Sequence, residues 1–324
     1  MQFLSDLLLA YHHDQAITTK MFPPLDDHAI VRRDRRRLSW SQRLSLIPKQ
    51  VFGIEGSRKF FVRFPQPLNR QPWPNLNESP PQSFPTCIVA ELKPNELRGI
   101  AKVARDSQAT THEMITRELF LTISDYQESK GNLKKNGWIR LNIPMSLRRP
   151  EHHKISASNI VTMVFLDRKP SQMSNEAKLL RSIHHQMSRI KRFDVKYTYL
   201  YFSKLLQILP GGFSLVSRSR KCHATMVLTN LGAVFTETAL PRDNGWLQIH
   251  DLQLRSVDLT APYRPLCNAA IAMVNYNDRM LLNLHFDPRA MSCDDAQWLC
   301  DRLQNRLKNL GRSQQESRLR TEPA

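Results

Sequence analysis

The chain has 324 residues and a formal net charge of +18, with 47 Lys and Arg against 29 Asp and Glu. A chain of this length can bury a large core in one or two domains, and the excess of positive charge favours an anionic partner without identifying it. The five cysteines form no Cys-x-x-Cys pair, which argues against a disulfide framework or a zinc ribbon and indicates a reducing, cytoplasmic compartment. No apolar run approaches the ~20 residues of a membrane-spanning helix. We therefore expect a protein that is soluble or at most peripheral to a membrane.

The first residues, MQFLSDLLLAYHHDQA, do not have the form of a signal peptide. A signal peptide needs a basic leader and an apolar core, whereas no Lys or Arg precedes the apolar residues here and Asp6 interrupts them. The apolar residues recur instead at helical spacing, which predicts an amphipathic helix that lies on a core. Its stripe consists of Phe3, Leu4, Leu7 and Leu8.

A proline-rich region follows, from residue 22 to residue 86. Because proline fixes its own φ and has no N–H to donate to a sheet, this composition predicts a connector. One stretch inside it, KFFVRF from Lys59 to Phe64, has the composition of a short strand. Another stretch, from Val31 to Arg43, concentrates basic residues. A charge run of this kind is usually a solvated face, and nucleic-acid binding is the alternative.

From residue 87 onward, strand and helix patterns alternate. A short apolar strand leads to a helix with Leu97 and Ile100 on one face, and Thr110 with Glu113 has the spacing of a capping box that opens a second helix. The string GWIRLNIP then predicts a half-exposed strand, and SNIVTMVFL predicts a strand covered on both faces.

The second half of the chain continues the alternation. Its predicted elements are helices at about 175–193 and 197–209, strands in ATMVLTNLG and WLQIHDLQL, and two strands from Ala269 to Phe286. The last two strands are joined at Asn277 and Asp278, a hairpin signal. A final helix begins at Ser292, and the polar tail after Gly311 is predicted to be disordered. Together the patterns predict an α/β or α+β sandwich in which helices cover one mixed sheet.

Four strings carry a resemblance to a known family. They are KPNELRGIAKVARDSQATTHEMITRELFLTI, LNIPMSLRRPEHHKISASNIVTMV, VLTNLG and NAAIAMVNYNDRMLLNLHFDPRAMSCDDAQWLCDRLQNRL. In this order they resemble the second lobe of the CoA-dependent acyltransferase superfamily, which has the chloramphenicol-acetyltransferase-like fold. The superfamily includes nonribosomal peptide condensation domains, wax ester synthase/diacylglycerol acyltransferases and alcohol acetyltransferases. The resemblance covers roughly residues 87 to 310.

In that superfamily the chemistry depends on a His-His-x-x-x-Asp-Gly motif at the end of the first lobe, whose second His acts as the general base. Three His-His pairs occur here, beginning at residues 12, 152 and 184, and none has an Asp at the required place. No catalytic residue is therefore expected in the chain, and His184 is expected to pack on a helix face beside Leu180. The resemblance implies the last helix of a truncated first lobe, a connector, a complete second lobe and a polar tail, at residues 1–21, 22–86, 87–311 and 312–324.

The resemblance also implies roles for residues of the second lobe. Arg148 matches an Arg that can pair with the Asp of the catalytic motif across the lobe junction, and a solvated Arg is the alternative. Asn159 matches the Asn of the next strand. Thr229, Asn230 and Gly232 match the strand end that lines the substrate tunnel. For these residues, capping of the strand end by Asn230 and a turn at Gly232 are the alternative.

Three classes of function remain open from the sequence. The first is acyl transfer from CoA or a carrier-protein thioester to a hydroxyl or an amine, by a chain that is truncated and inactive alone; the phosphates of CoA would suit the positive charge. The second is a non-catalytic module that binds an acyl or CoA group, associates with itself or joins a missing first-lobe polypeptide. The third, nucleic-acid binding, is less favoured because the sequence has no helix-turn-helix, RNP-like or zinc-finger string. No cofactor and no metal site is expected.

Overall fold

A six-stranded mixed sheet lies at the centre of the computed structural model of this protein. The structure describes residues 2–13, 51–69, 86–147, 161–212, 221–263 and 266–319, together with residues 41, 44, 48 and 214. Two predicted site residues, Arg148 and Asn159, lie outside the described residues. So do the His-His pair at residue 152 and, apart from Ser41, the basic cluster from Val31 to Arg43.

Helices and strands alternate along most of the described chain. The helices are α1 (Gln2–His13), α2 (Val51–Val62), α3 (Pro94–Asp106), α4 (Thr111–Ser129), α5 (Glu176–Arg192), α6 (Lys196–Ile208) and α7 (Cys293–Leu319). The strands are β1 (Thr86–Leu92), β2 (Ile139–Ser146), β3 (Val161–Arg168), β4 (Met226–Ala233), β5 (Arg242–Asp243), β6 (Trp246–Ile249), β7 (Leu252–Gln253), β8 (Ala269–Tyr276) and β9 (Arg279–Phe286). Among the helices of the described chain, none is long and apolar enough to cross a bilayer.

The main sheet has the strand order β1-β9-β8-β4-β2-β3, and β5, β6 and β7 form a separate small sheet. Its centre is parallel, because β4 pairs in parallel with both β2 and β8. The outer pairs β1–β9, β8–β9 and β2–β3 are antiparallel. The carboxyl ends of β2, β4 and β8 therefore lie at one edge of the sheet, where residues that are distant in sequence come together.

The main core lies between one face of this sheet and helices α3, α4, α5 and α7. Side chains of a strand alternate between the two faces of its sheet. Leu141 of β2, Leu228 of β4, Ile271 of β8 and Leu284 of β9 all point to the helix-covered face and are at most 1% exposed. Burying one such side chain stabilises the fold by about 1.5–3 kcal/mol.

The opposite face of the sheet is covered by other elements. Helix α6 packs on β3, and α2 packs on α6. A second cluster around Leu247 and Val274 is joined by Leu8 and Leu9 of α1. The predicted stripe on α1 is thus wrong in part: Leu8 packs, but Leu4 and Leu7 are 37% and 53% exposed.

Two local predictions are confirmed by backbone geometry. Thr110 caps α4, and its hydroxyl accepts from the backbone N–H of Glu113 while the Glu113 carboxylate accepts from that of Thr110. Strands β8 and β9 are joined by Asn277 and Asp278 at φ 49° and 58°, as a two-residue hairpin turn of the primed type requires.

Other predictions are wrong, among them the burial of two strands: β2, expected to be half-exposed, is buried over its first five residues, and β3, expected to be covered on both faces, alternates between buried and more exposed positions. Lys59–Phe64 was expected to form a strand, but α2 runs through this stretch to Val62, and the guanidinium of Arg140 binds the carbonyl groups of its last turn. The tail after Gly311 was expected to be disordered, but α7 continues to Leu319. Gly311 lies inside α7, at the point where this helix crosses α3. A Cβ added at Gly99 of α3 would stand 2.8 Å from the Cα of Gly311, so the two glycines allow the helices to approach closely.

Candidate functional site

Two neighbouring groups of polar side chains, five residues in all, lie where the carboxyl end of β4 faces the first turn of α4: Asn230 contacts His112, and Glu113 contacts His184, which contacts Ser188. They are Asn230 of β4, His112 and Glu113 of α4, and His184 and Ser188 of α5; we call them the polar cluster. The topology explains the meeting. Helix α4 leads back to β2 through a short loop and runs antiparallel to it, so its first turn arrives at the edge of the sheet where the parallel strands end.

The end of β4 forms a capped turn. Gly232 has φ +66°, in the left-handed region that glycine adopts without strain. The side-chain oxygen of Asn230 accepts from the backbone N–H of Gly232 at 2.8 Å. Capping by Asn230 is thus present in the structure, and the turn at Gly232 is a bulge within β4, where the register with β8 shifts between Asn230 and Ala233. The neighbouring Thr229 pairs with Ala272 of β8 and is half-buried.

The Asn230 side chain also reaches the imidazole of His112. Its Nδ2 lies 3.5 Å from Nδ1 of His112. An amide nitrogen can only donate, so Nδ1 accepts and the hydrogen of the neutral ring sits on Nε2. Burial lowers the pKa of His112; the charge of Glu113 opposes the shift, and that of Lys191 adds to it. His112 is therefore a neutral, mostly buried ring at neutral pH.

Glu113 is a buried carboxylate that holds a second histidine. Its side chain is 2% exposed, and Oε2 accepts from the backbone N–H of Thr110 at 2.9 Å and from Nδ1 of His184 at 3.0 Å. Burial alone would raise the pKa of this carboxyl, but the hydrogen bonds from His184 and Thr110 outweigh burial and lower the pKa. Glu113 is thus ionised at neutral pH and fixes the orientation of His184.

The arrangement of His184 is that of a proton acceptor. Because Nδ1 donates to Glu113, a neutral His184 keeps the lone pair of Nε2 available. This nitrogen lies 3.5 Å from the Ser188 hydroxyl, and the His184 side chain is 45% exposed. The expectation that His184 packs into the core is wrong. A carboxylate that orients an accessible imidazole is an arrangement found in general bases.

Two other described histidines lie elsewhere. His12 of α1 accepts from the backbone N–H of His250 at 3.0 Å. His285 donates from Nδ1 to the carbonyl of Ala261 at 3.1 Å, and its ring contacts Tyr263. Among the residues that the structure describes, no group of three His, Cys, Asp or Glu side chains is arranged to hold a metal ion.

Solved structures share this architecture. The first condensation domain of the CDA synthetase matches with a TM-score of 0.60 at 12% identity, over 96% of this chain and 60% of that one. The chain has the condensation-domain fold. The epimerization domain from the third module of tyrocidine synthetase B matches with a TM-score of 0.60 at 11% identity, over 96% of this chain and 64% of that one.

An acetyltransferase shares the condensation-domain fold with them. The trichothecene 15-O-acetyltransferase of Fusarium sporotrichioides matches with a TM-score of 0.57 at 11% identity, over 82% of this chain and 53% of that one. This protein therefore spans less than two thirds of the length of these three chains. No family model matches its sequence, and no curated protein matches it.

Within the condensation-domain fold, the predicted mixed sheet covered by helices is confirmed. The structure brings Thr229, Asn230 and Gly232 together at the end of β4. The sequence did not predict that His112 contacts Asn230 or that the neighbouring Glu113 holds His184. The Thr110 capping box was the available signal, because it placed a carboxylate in the first turn of a buried helix.

Proposed function

We propose that this protein takes part in acyl transfer from a thioester, carried by CoA or by a carrier protein, to a hydroxyl or an amine. The observation that carries the proposal is the polar cluster at the carboxyl end of β4 within a condensation-domain fold. It presents an amide, a neutral imidazole and a strand-end turn at one edge of the sheet. These are groups that can hold the carbonyl and amide portions of an acyl thioester.

The proposed reaction is a direct transfer. The oxygen or nitrogen of the acceptor forms a bond to the acyl carbon, the carbon–sulfur bond breaks, and the acceptor's proton passes through a base to the departing thiolate. We assign the base to the second His of a His-His-x-x-x-Asp motif. The 324-residue sequence does not contain this motif. The proposal is that a first-lobe polypeptide supplies this motif, and that the chain alone binds the thioester without turning it over.

Calorimetric titration with hexanoyl-CoA tests the binding half of this proposal. Asn230→Asp keeps the oxygen that caps Gly232 but removes the Nδ2 donor that faces His112. We expect it to weaken binding by about tenfold, the effect of one hydrogen bond. Asn305→Asp, on an exposed face of α7, is the matched control. Equal affinities of wild type and Asn230→Asp, or equal weakening by both variants, would contradict the proposed role of the cluster.

Release of free thiol from hexanoyl-CoA tests the catalytic half. With an amine or alcohol present, the purified chain should release thiol no faster than buffer does. His184→Gln is the decisive variant, because His184 is the half-exposed imidazole of the polar cluster and is oriented by a carboxylate. Turnover by the wild-type chain that disappears in His184→Gln would place the base within this chain and refute its assignment to another lobe.

A second candidate function is a non-catalytic association module. Exposed apolar side chains on α2 and α6 favour it, since contiguous apolar surface is typical of interaction sites. They are Ile54, Phe61, Val62, Tyr201, Leu205 and Ile208. Light scattering after size-exclusion chromatography should then show a dimer or a larger species. Leu205→Glu should dissociate this species, whereas Leu252→Glu, at a similarly exposed residue of β7, should not. A monomer at ~100 µM would exclude this candidate.

A further inference from the structure

A groove of about 770 Å³ lies between α2, β3, α5 and α6; we call it the β3 groove. Its volume falls in the range of about 300–1,000 Å³ that small-molecule sites occupy. Gln186 and Arg189 of α5 line it, whereas His184 and Ser188 of the polar cluster do not. The groove is therefore a different site from the polar cluster, and a ligand bound there is independent of acyl transfer.

One wall of the β3 groove is aromatic. Phe60 of α2 lies 4.8 Å from Phe165 of β3, and Phe61 lies 5.2 Å from Phe202 of α6, measured between ring centroids. Tyr199 of α6 extends the wall beside Phe165. Rings at these separations form a continuous apolar surface that can hold the apolar body of a ligand.

The rest of the lining carries an excess of positive charge. Six cations face two carboxylates: Lys59, Arg63, Arg140, Arg168, Lys178 and Arg189 against Glu55 and Asp167. Both carboxylates already have two cationic partners, since Glu55 pairs with Lys59 and Arg189 while Asp167 pairs with Arg140 and Arg63. Within the described part of the chain, neither Arg168 nor Lys178 forms an ion pair. A site of this kind attracts anions.

Arg168 is a buried cation that neutral groups hold in place. The residue is 8% exposed, Nε donates to the Ser182 hydroxyl at 3.0 Å, and Nη1 donates to the Gln186 side chain at 2.8 Å and to the carbonyl of Asp167 at 2.7 Å. All three acceptors are neutral. Nη2 has no acceptor among the described residues. Burial lowers the pKa of Arg168 to about 10; the Asp167 carboxylate opposes the shift and Arg63 adds to it.

A buried guanidinium without a counter-ion is costly, whereas one that binds an anion is not. The neutral partners hold Arg168 in one orientation, and the residue lines the groove. An anion there gains charge-assisted hydrogen bonds without having to reorganise the side chain. Lys178, in the first turn of α5, also lines the groove and adds a second positive charge.

We propose that the β3 groove binds a small amphiphilic anion, with a phosphate or carboxylate head on Arg168 and Lys178 and an apolar body on the aromatic wall. The head accounts for the charge that the carboxylates of the groove leave unpaired. The body accounts for the five aromatic side chains of the wall and for a volume much larger than one phosphate needs.

Calorimetric titration of the full chain with octyl phosphate, AMP, octanol, adenosine and inorganic phosphate tests this proposal. Octyl phosphate or AMP should bind at least tenfold more tightly than its uncharged counterpart and than inorganic phosphate. Which of the two binds shows whether the preferred body is aliphatic or aromatic. If neither binds, or if octanol and adenosine bind as tightly as the two phosphate esters, the proposal is overturned.

Variants place the binding in the groove. Arg168→Gln and Lys178→Gln should each weaken it by at least tenfold, and Arg181→Gln, on the exposed face of α5, should not change it. Gly56→Phe supplies a variant that leaves every charge in place: a Cβ at Gly56 meets no atom within 4 Å, so the ring enters the open groove and should abolish binding. The site is refuted if Lys178→Gln and Gly56→Phe both bind as tightly as the wild type, whether or not Arg168→Gln folds. It is also refuted if Arg181→Gln weakens binding as much as the variants in the groove do.

Discussion

Replacement of Asp167 by Asn should destabilise the fold by about 3–5 kcal/mol, because it leaves the charge of a buried guanidinium without a carboxylate. The Arg140 side chain is 1% exposed. Its Nε donates to Oδ1 of Asp167 at 2.6 Å, and its Nη2 donates to Oδ2 at 3.0 Å. In Asp167→Asn the negative charge and one of these two hydrogen bonds are lost, and the new Nδ2 donor faces a guanidinium donor.

The same guanidinium holds α2 in place. It donates to the carbonyl groups of Lys59 and Phe60 at 3.2 Å and of Arg63 at 3.0 Å, at the carboxyl end of that helix. A cation there binds carbonyls of the last helical turn, of which that of Lys59 also accepts from the backbone N–H of Arg63, and it interacts favourably with the helix dipole. The pair thus joins β2, β3 and α2. We expect the double variant Arg140→Met/Asp167→Leu to recover much of the stability that Asp167→Asn loses, since no buried charge remains.

Equilibrium unfolding in urea, followed by far-ultraviolet circular dichroism, measures these changes. The matched control is the exposed pair of Arg279 and Glu91, 3.2 Å apart with both side chains about 40% exposed. Glu91→Gln should cost less than about 1 kcal/mol, because solvent screens an exposed pair. A loss below about 1 kcal/mol in Asp167→Asn, or one equal to that of Glu91→Gln, would refute the reasoning.

Three further predictions concern local features. In α2, Gly56→Ala should raise the free energy of unfolding by up to about 1 kcal/mol through helix propensity, whereas Gly53→Ala should lower it because the new Cβ overlaps the Thr198 side chain; thermal unfolding of the two variants should shift in opposite directions. Glu113→Gln should cost about 1–2 kcal/mol at pH 7. The fold lowers the pKa of this carboxyl below 4.5, so its contribution is present above that pH and is lost as the pH falls through the folded-state pKa; urea titrations should show the penalty shrinking toward pH 3. Asp278→Gly should raise the unfolding midpoint, by up to about 1 kcal/mol in free energy, because φ 58° strains a residue with a Cβ; an unchanged or lower midpoint would contradict this explanation of the turn.

Much of the fold could be predicted from short-range patterns. The capping box of Thr110 and the hairpin turn at Asn277 depend on residues at most three positions apart, and both were predicted correctly. The strand predicted at Lys59–Phe64 was wrong because the composition there favours a strand less than the contacts with Arg140, more than 75 residues away in sequence, favour α2. The prediction of a disordered tail after Gly311 was wrong for a similar reason. Gly311 lies where α7 crosses α3, at a contact with Gly99 that is distant in sequence.

The candidate site could be predicted only at its β4 end. Thr229, Asn230 and Gly232 are neighbours in sequence, so one string was enough to place them together. The pairing of Glu113 with His184 spans 71 positions, and nothing in either segment shows that α4 and α5 bring them within 3.0 Å. The burial of Arg168 could not be predicted either, since nothing in the neighbouring sequence distinguishes this arginine from the other Lys and Arg residues, 47 in all.

The sequence by itself determined the order of the elements, most of their boundaries and the strong positive charge, because periodicity, capping and turn preferences act between near neighbours in the chain. Only the tertiary structure decided which charges are compensated. Asp167 forms ion pairs with Arg140 and Arg63, and Glu113 accepts a hydrogen bond from His184. Arg168, at the neighbouring position of β3, donates hydrogen bonds only to neutral groups among the described residues. The interaction between charges depends on distance and burial in space, which the packing of β3 against α2 and α5 establishes and the linear sequence does not contain.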